Sequence, residues 1–312
     1  MTSLKQLRYF DAVARFGHFG RAAQYCGVTQ PALSMQILEL ESELGLQLLE
    51  RRPKGVRLTA EGGEVAQRAS RILQQVRDLG DFARQRASQL SGALYLGVIP
   101  SVAPYLLPPV LPVLRREYPA LELHVRESRT QALVQHLLEG TLDVLVLALP
   151  VKQAGIETIP LFEDRFLLAL PRSHRSRKRV RATPELLKHD RLLLLEEGHC
   201  LRDQALTFCQ LRQIDHIDTF GASSLSTIAQ MVANGLGVTL LPEISIGLET
   251  KHADIKLLRF AEPEPRRILG LAWRATSSRK RDFAELGRHI VAVSRPRSGA
   301  CATSYGVSDP AA

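Results

Sequence analysis

The stretch Phe19-Gly20-Arg21-Ala22-Ala23-Gln24-Tyr25-Cys26-Gly27-Val28-Thr29-Gln30-Pro31-Ala32-Leu33-Ser34 decides how the chain begins to fold. Phe19, Ala22, Ala23 and Cys26 recur at three- and four-residue steps, which is one face of a short helix. Gly27 suits the left-handed conformation that ends such a helix. Thr29 can cap the next helix, with Pro31 at or beside its first turn. Leu33, Ile37, Leu40 and Leu44 then share a face of that second helix. Two short helices joined by a tight turn are the geometry that presents a recognition helix to the major groove of DNA. The side chains left outside include Gln30, Ser34, Met35 and Gln36. Gln and Ser can bond base edges or phosphates, and Met can touch a thymine methyl.

Upstream, Leu4, Leu7, Phe10, Val13 and Ala14 mark another amphipathic helix. Downstream, Arg51, Arg52, Lys54 and Arg57 cluster around Pro53 and Gly55, where a hairpin wing would hold cations beside the phosphate backbone. The net charge of +9 and pI near 9.7 favour a polyanionic partner but by themselves decide little. The N-terminus lacks the apolar run of a secretion signal, and the most apolar long stretch, Gly97 to Leu114, is broken by five prolines. A cytoplasmic protein without a membrane span is expected.

The blocks His18-Phe19-Gly20-Arg21-Ala22-Ala23, Val28 to Ser34 and Leu38-Glu39-Leu40-Glu41-Ser42-Glu43-Leu44-Gly45 resemble the winged helix-turn-helix of LysR-type regulators. So do Leu48-Leu49-Glu50-Arg51 and Leu58-Thr59-Ala60-Glu61-Gly62. The resemblance implies a DNA-binding domain over 1–58, with Thr29, Gln30, Pro31, Ser34, Met35, Gln36, Arg51, Arg52 and Lys54 against promoter DNA. After Thr59, a plausible N-cap, Ala66, Ala69, Ile72, Leu73, Val76, Leu79 and Ala83 continue at helical spacing. A long helix with a narrow apolar stripe wants a partner helix. The 59–90 segment is therefore expected to dimerise, as it does in the family the chain resembles.

Beyond Ser91-Gly92 the texture changes. Leu94–Ile99, Val144–Leu149, Phe166–Leu170, Leu192–Leu195 and Val238–Leu241 read as buried parallel strands. Between them, Tyr105–Tyr118, Thr130–Glu139, Pro184–Lys188, Leu201–Leu211 and Ser224–Ala233 read as helices. Such alternation predicts an α/β domain. The resemblance implies a periplasmic-binding-protein-like regulatory domain over 91–295, with one subdomain from 91–163 plus 268–295 and a second from 164–267. The tail 296–312 is expected to be disordered.

Four cysteines are too few for a disulfide scaffold, so any that matter should be redox-active, catalytic or metal-binding. Cys26 sits on an apolar helix face and Cys301 in the tail; neither is assigned a role. Cys200 opens a predicted helix after a strand and turn, where the helix dipole and nearby cations (His199 and Arg202 are the neighbours) favour a thiolate. A thiolate that attacks peroxide becomes a sulfenic acid, which a second thiol, Cys209, could trap as a disulfide. Nine residues along one helix hold the two Cα atoms roughly 13–14 Å apart. A disulfide needs about 4.4–6.8 Å, so bridging must refold the segment. On composition alone, two buried structural cysteines are the commoner reading. A zinc site from His199, Cys200, Cys209 and His216 fits no standard spacing and is set aside. The basic run Arg172, Arg175, Arg177, Lys178, Arg179 and Arg181 reads as a solvated loop, and no conventional enzyme motif is present.

The segment Gly198-His199-Cys200-Leu201-Arg202-Asp203-Gln204-Ala205 with Phe208-Cys209 resembles the redox-active segment of peroxide-sensing LysR-type regulators. Supporting blocks are Pro104 to Pro108, Leu240-Leu241-Pro242 and Pro263-Glu264-Pro265-Arg266-Arg267. The resemblance implies Cys200 as the peroxidatic and Cys209 as the resolving cysteine. It places hydrogen peroxide among Ser101, Thr130, His199, Asp203 and Arg267, with Ser101 standing where the family carries threonine. It further implies a homotetramer built from dimers, contact with RNA polymerase, control of antioxidant genes, and neither a cofactor nor enzymatic turnover. Two rivals stay open: the same DNA-binding module with an organic inducer in the cleft, and a thiol peroxidase carrying a DNA-binding head.

Overall fold

The computed structural model describes residues 1–52, 55–85, 90–174, 181–182, 191–211, 217–251 and 253–294. Local capping chemistry builds its first part. Ser3 and Gln6 form a reciprocal capping box on the helix Leu4–Phe16, which Gly17 ends in the left-handed conformation. His18 caps Phe19–Cys26 through Gly20 N, and Gly27 ends it. Thr29 Oγ1 accepts from Ala32 N at 3.4 Å to cap Gln30–Leu44. Leu7, Phe10, Val13, Ala22, Ala23, Leu33, Ile37 and Leu40 meet in one core.

Strands β1 (Leu49–Arg52) and β2 (Gly55–Leu58) pair antiparallel as the expected wing. The wing is tied down where Val56 N donates to Gly17 O at 2.9 Å. Gly55 is required there, because its φ is 136° and a Cβ would stand 2.7 Å from Gly17 O. Thr59 Oγ1 accepts from Gly62 N at 2.8 Å and so caps the long helix Ala60–Gln85. Ile72, Val76 and Leu79 stand exposed along that helix, while Gln74 is buried.

Two further cores follow. Strands β3 (Gly92–Val98), β4 (Leu121–Glu127) and β5 (Val144–Leu149) are parallel, with β3 between the other two. The helices Ala103–Glu117 and Thr130–Leu138 connect them. Strand β6 (Ile156–Pro171) and strand β11 (Arg266–Arg274) run antiparallel to each other, and β11 joins β5. From Phe166 onward β6 leaves β11 and pairs instead with β9 (Thr239–Pro242) and β10 (Ile255–Arg259), both antiparallel. Strand β6 thus runs without a break from the first core, around Leu94, Leu145 and Leu271, into the second, around Leu168, Leu193 and Leu240. Strands β7 (Leu192–Leu195) and β8 (Ile217–Ala222) pair in parallel.

The expectation of buried parallel strands therefore holds for Leu94–Ile99, Val144–Leu149 and Leu192–Leu195. It fails for Phe166–Leu170, antiparallel to both its neighbours, and holds in part for Val238–Leu241, which is antiparallel to β6 but bridged in parallel to β7 through Val238 and Leu192. Their unbroken apolarity comes from helices covering the sheet, not from strand direction. The Pro184–Lys188 helix, Lys54 and the tail 296–312 lie outside the described residues.

Candidate functional site

Strands β3, β4 and β7 carry the candidate residues on the segments just past their C-terminal ends, where α/β sheets place ligands. Ser101 follows β3, Thr130 follows β4, and Cys200 follows β7. Ser128 N donates to Val98 O at 3.2 Å, which ties the ends of β3 and β4 together. Arg129, at the N-cap of the Thr130 helix, donates through Nη2 to Glu196 Oε1 just past β7. That ion pair brings the end of β7, and the segment leading to Cys200, to the same place.

Cys200 opens the helix Cys200–Leu211, as the sequence predicts, and is a half-buried free thiol. Its side chain packs against the first regulatory core, whereas that of Leu201 is buried in the second. Cys200 therefore sits on the seam between them. Cys209 lies in the last turns of the same helix. Helical geometry sets the two Cα atoms about 13–14 Å apart, so they cannot bridge in this conformation.

His199 is 5% exposed, and its Nε2 has no hydrogen-bond partner. Glu196 Oε1 approaches to 3.8 Å, beyond hydrogen-bond reach. Burial, then the Arg129 charge, hold the imidazole pKa below its ordinary value, and Glu196 only partly opposes this. Burial and Arg129 thus disfavour the imidazolium form, against the expectation of His199 as a cation beside Cys200. Thr130 Oγ1 is likewise buried without a partner. Both atoms are buried polar groups left without a hydrogen-bond partner, which is uncommon in a folded protein.

Arg267 has a fully buried side chain. Its Nε donates to Asp164 Oδ2 at 2.9 Å, its Nη1 to Ser101 Oγ at 2.8 Å and its Nη2 to Ser101 O at 3.1 Å. Asp164 also accepts from Ile244 N at 3.0 Å. The structure thus brings Ser101 and Arg267 into direct contact, already mutually satisfied. Asp203 lies in the first turn of the Cys200 helix with its side chain exposed, and its carbonyl accepts from Thr207.

In the recognition helix, Thr29, Gln30, Pro31 and Met35 are exposed, while Ser34 and Gln36 are half-buried. Gln36 is held by Glu39 at 2.6 Å. Arg52 is exposed on the wing, where Glu50 lies 3.4 Å away. Arg51 is placed in β1 by its backbone.

Among the described residues no group of His, Cys, Asp and Glu could hold a metal ion, and no helix is long and apolar enough to cross a membrane. Cys26 packs against the N-terminal core, and burial raises its pKa. Within the basic run, Arg172 pairs with Asp254 at 2.8 Å and Arg181 with Glu264 at 3.2 Å.

Sequence reasoning missed Asp164, Arg129 and Glu196. It also missed Glu249, whose buried carboxylate accepts from Tyr105 on the first core's helix at 2.6 Å and from Ser226 at 2.9 Å. The one available sign of Asp164 was its place in the charged triplet Glu163-Asp164-Arg165, directly before an apolar run.

A winged helix-turn-helix, a long connecting helix and a two-core α/β unit together define a DNA-binding regulator with its own regulatory domain. The family profile described as "Bacterial regulatory helix-turn-helix protein, lysR family" matches residues 4–63, and "LysR substrate binding domain" matches residues 87–295. The chain belongs to the LysR family.

Within that family it is similar to OxyR. It is 40% identical to the Escherichia coli K12 "DNA-binding transcriptional dual regulator OxyR", over 92% of this chain and 94% of the relative. A cysteine-to-aspartate variant of full-length Pseudomonas aeruginosa OxyR superposes with a TM-score of 0.79 at 37% identity, covering 93% of this chain and 95% of that one. A cysteine-to-serine variant of Corynebacterium glutamicum OxyR with hydrogen peroxide bound gives a TM-score of 0.66 at 34% identity, over 94% of this chain and 92% of that one.

Proposed function

We propose that the chain is a cytoplasmic transcription regulator that senses hydrogen peroxide through Cys200 and Cys209 and passes the change to promoter DNA. The observation that carries this reading is the position of Cys200. It opens a helix on the seam between two cores, next in sequence to a buried His199 whose Nε2 is unpartnered, while Thr130, beside the Arg129 that reaches Glu196, also has an unpartnered hydroxyl. Similarity to OxyR, including a relative with peroxide bound, supports it.

In the proposed chemistry the Cys200 thiolate attacks one peroxide oxygen. The O–O bond breaks, leaving a sulfenic acid on Cys200 and releasing hydroxide. Thr130 and His199 orient the peroxide, and Ser101, held by Arg267, lends polarity to the same end of the sheet. Asp203 assists once the helix moves. The Cys209 thiol then displaces the sulfenic oxygen as water and forms the disulfide. Because the helix holds the sulfurs apart, that step costs the helix its present form and shifts the two cores against each other.

We assign the DNA-binding domain to 1–58, the dimerising helix to 59–90 and the regulatory domain to 91–295. Thr29, Gln30, Pro31, Ser34, Met35 and Gln36 read the groove, and Arg51, Arg52 and Lys54 meet phosphates. Ile72, Val76 and Leu79 supply the stripe for a second copy, and two dimers make the tetramer. The output is control of antioxidant genes through RNA polymerase, without catalytic turnover.

The test is mass-spectrometric mapping of thiols after brief peroxide exposure. Cys200→Ser should abolish the response, and Cys209→Ser should keep the first oxidation but lose the link. Untouched thiols alongside a changed DNA footprint would favour an organic inducer instead.

A further inference from the structure

The contact between Arg129 and Glu196 joins elements that belong to different cores. Arg129 has a fixed backbone, as the N-cap of the Thr130 helix whose carbonyl accepts from Leu133 N at 3.0 Å. Glu196 is also fixed, with its N–H donating to Ala222 O at 3.0 Å past β7. Their side chains bridge the seam, with Arg129 Nη2 donating to Glu196 Oε1.

The stem of Arg129 does a second thing. Gly198 has φ 87°, and a Cβ there would lie 3.0 Å from Arg129 Cδ and 3.3 Å from Nη1. Arg129 therefore lies over the glycine two residues before Cys200, with its stem in close contact with that position. Glu197, Gly198 and His199 alone separate the latched Glu196 from Cys200.

We propose that Arg129 and Glu196 form a latch across the seam that must open before Cys200 can reach Cys209, so the pair sets how oxidising the surroundings must be for the disulfide to close. This inference rests on Cys200 and Cys209 being the pair that bridges. Closing that bridge requires the two Cα atoms to approach by about 7–9 Å. In this proposal Cys200 makes that move, and its three-residue tether and the Arg129 stem cannot then stay in place. The latch thus belongs to the thiol state. Both its side chains are partly exposed, at 47% and 33%. Partly exposed pairs shift an equilibrium by about 1.5- to 5-fold, enough to tune a threshold without locking it.

The full-length protein can be equilibrated with glutathione buffers, which makes the readout independent of peroxide. Glutathione disulfide accepts two electrons from the Cys200 and Cys209 thiols. Its own S–S bond breaks to two thiols, which carry the two protons, and the protein disulfide forms. The oxidised fraction is read from the Cys200 and Cys209 peptides by mass spectrometry. Arg129→Ala and Glu196→Ala should each raise the oxidation constant about 1.5- to 5-fold. The double variant should gain no more than either single one, because the two act through one contact. Arg129→Lys, which keeps the charge and most of the stem, should fall between wild type and Arg129→Ala.

Unchanged constants in the single variants would overturn the latch, as would a double variant whose gain is the product of the two. Parallel treatment of wild type with hydrogen peroxide separates the readings. If glutathione closes the disulfide but peroxide leaves Cys200 untouched, peroxide sensing falls while the latch stands. If peroxide oxidises Cys200 and the variants do not shift the glutathione constant, the latch alone falls.

Discussion

Replacing Arg267 by methionine tests the buried network that ties β11 to β6 and to the segment after β3. Arg267 and Asp164 have side chains 0% and 1% exposed, so neither charge has water to fall back on. Methionine would retain part of the apolar stem but remove the bonds to Asp164 Oδ2 at 2.9 Å and to Ser101 Oγ at 2.8 Å. Asp164 would keep the Ile244 N–H at 3.0 Å and lose its counter-charge. Breaking a buried pair from one side costs about 3–5 kcal/mol. Arg266, one residue earlier on the same strand, points outward at 56% exposure towards Glu163, 3.2 Å away. Losing that pair costs about 0–1 kcal/mol. Trp273, the only tryptophan of the chain, lies on the same strand and packs on Phe283, so its fluorescence reports unfolding of the first core. With a urea dependence of about 2–3 kcal/mol per molar, Arg267→Met should lower the midpoint by about 1–2.5 M, and Arg266→Met by less than about 0.5 M. Equal midpoint shifts for the two variants would refute the argument that burial makes Arg267 matter.

Three further outcomes follow. Gly140 has φ 74°, and a Cβ there would lie 2.5 Å from Gln74 Oε1 on the long helix, next to the bond from Ser70 Oγ to Glu139 O. Gly140→Ala should destabilise this docking by roughly 1 kcal/mol or more; amide exchange across 68–76 should quicken, and an unchanged pattern would contradict the contact. His199 has its pKa held below 6.5, first by burial and then by Arg129. The folded state therefore binds fewer protons than the unfolded one, so stability rises with pH and is lost as pH falls through the ordinary histidine range. Wild type should lose more urea resistance than His199→Gln between pH 7.5 and about pH 5.5; equal losses would contradict this. Arg52→Ala should weaken DNA binding evenly across sequences and lower the salt slope by about 1, and a loss confined to one operator sequence would instead place Arg52 on a base.

The N-terminal module was legible because its signals are local. Thr29, Gly27 and Thr59 act in the structure as caps where their chemistry suggests, and Leu33, Ile37 and Leu40 are buried on the face that spacing marks. The regulatory part was legible only in its apolar segments. The first half of β6 reads Ile156-Glu157-Thr158-Ile159-Pro160-Leu161-Phe162-Glu163-Asp164-Arg165, too polar to announce a strand that is half-buried under one helix. Apolar runs also cannot reveal direction, which is why the antiparallel partners of Phe166–Leu170 escaped. At the site, helical spacing showed that joining Cys200 to Cys209 needs refolding, but their redox role came from resemblance. By contrast, Ser101 and Arg267 meet across 166 positions, and Arg129 meets Glu196 across 67. No local pattern encodes such pairs; Ser101 and Arg267 came only from resemblance, and Arg129 and Glu196 not at all.

One helix, Cys200–Leu211, keeps the Cα atoms of Cys200 and Cys209 apart for as long as it exists. Amide hydrogen exchange across 200–211, followed together with Cys200–Cys209 peptide mass during a peroxide titration, tests it directly. Protection of these amides should disappear in step with disulfide formation, as bridging about 13–14 Å of helix demands. A disulfide that forms while the helix keeps its full protection would contradict the account.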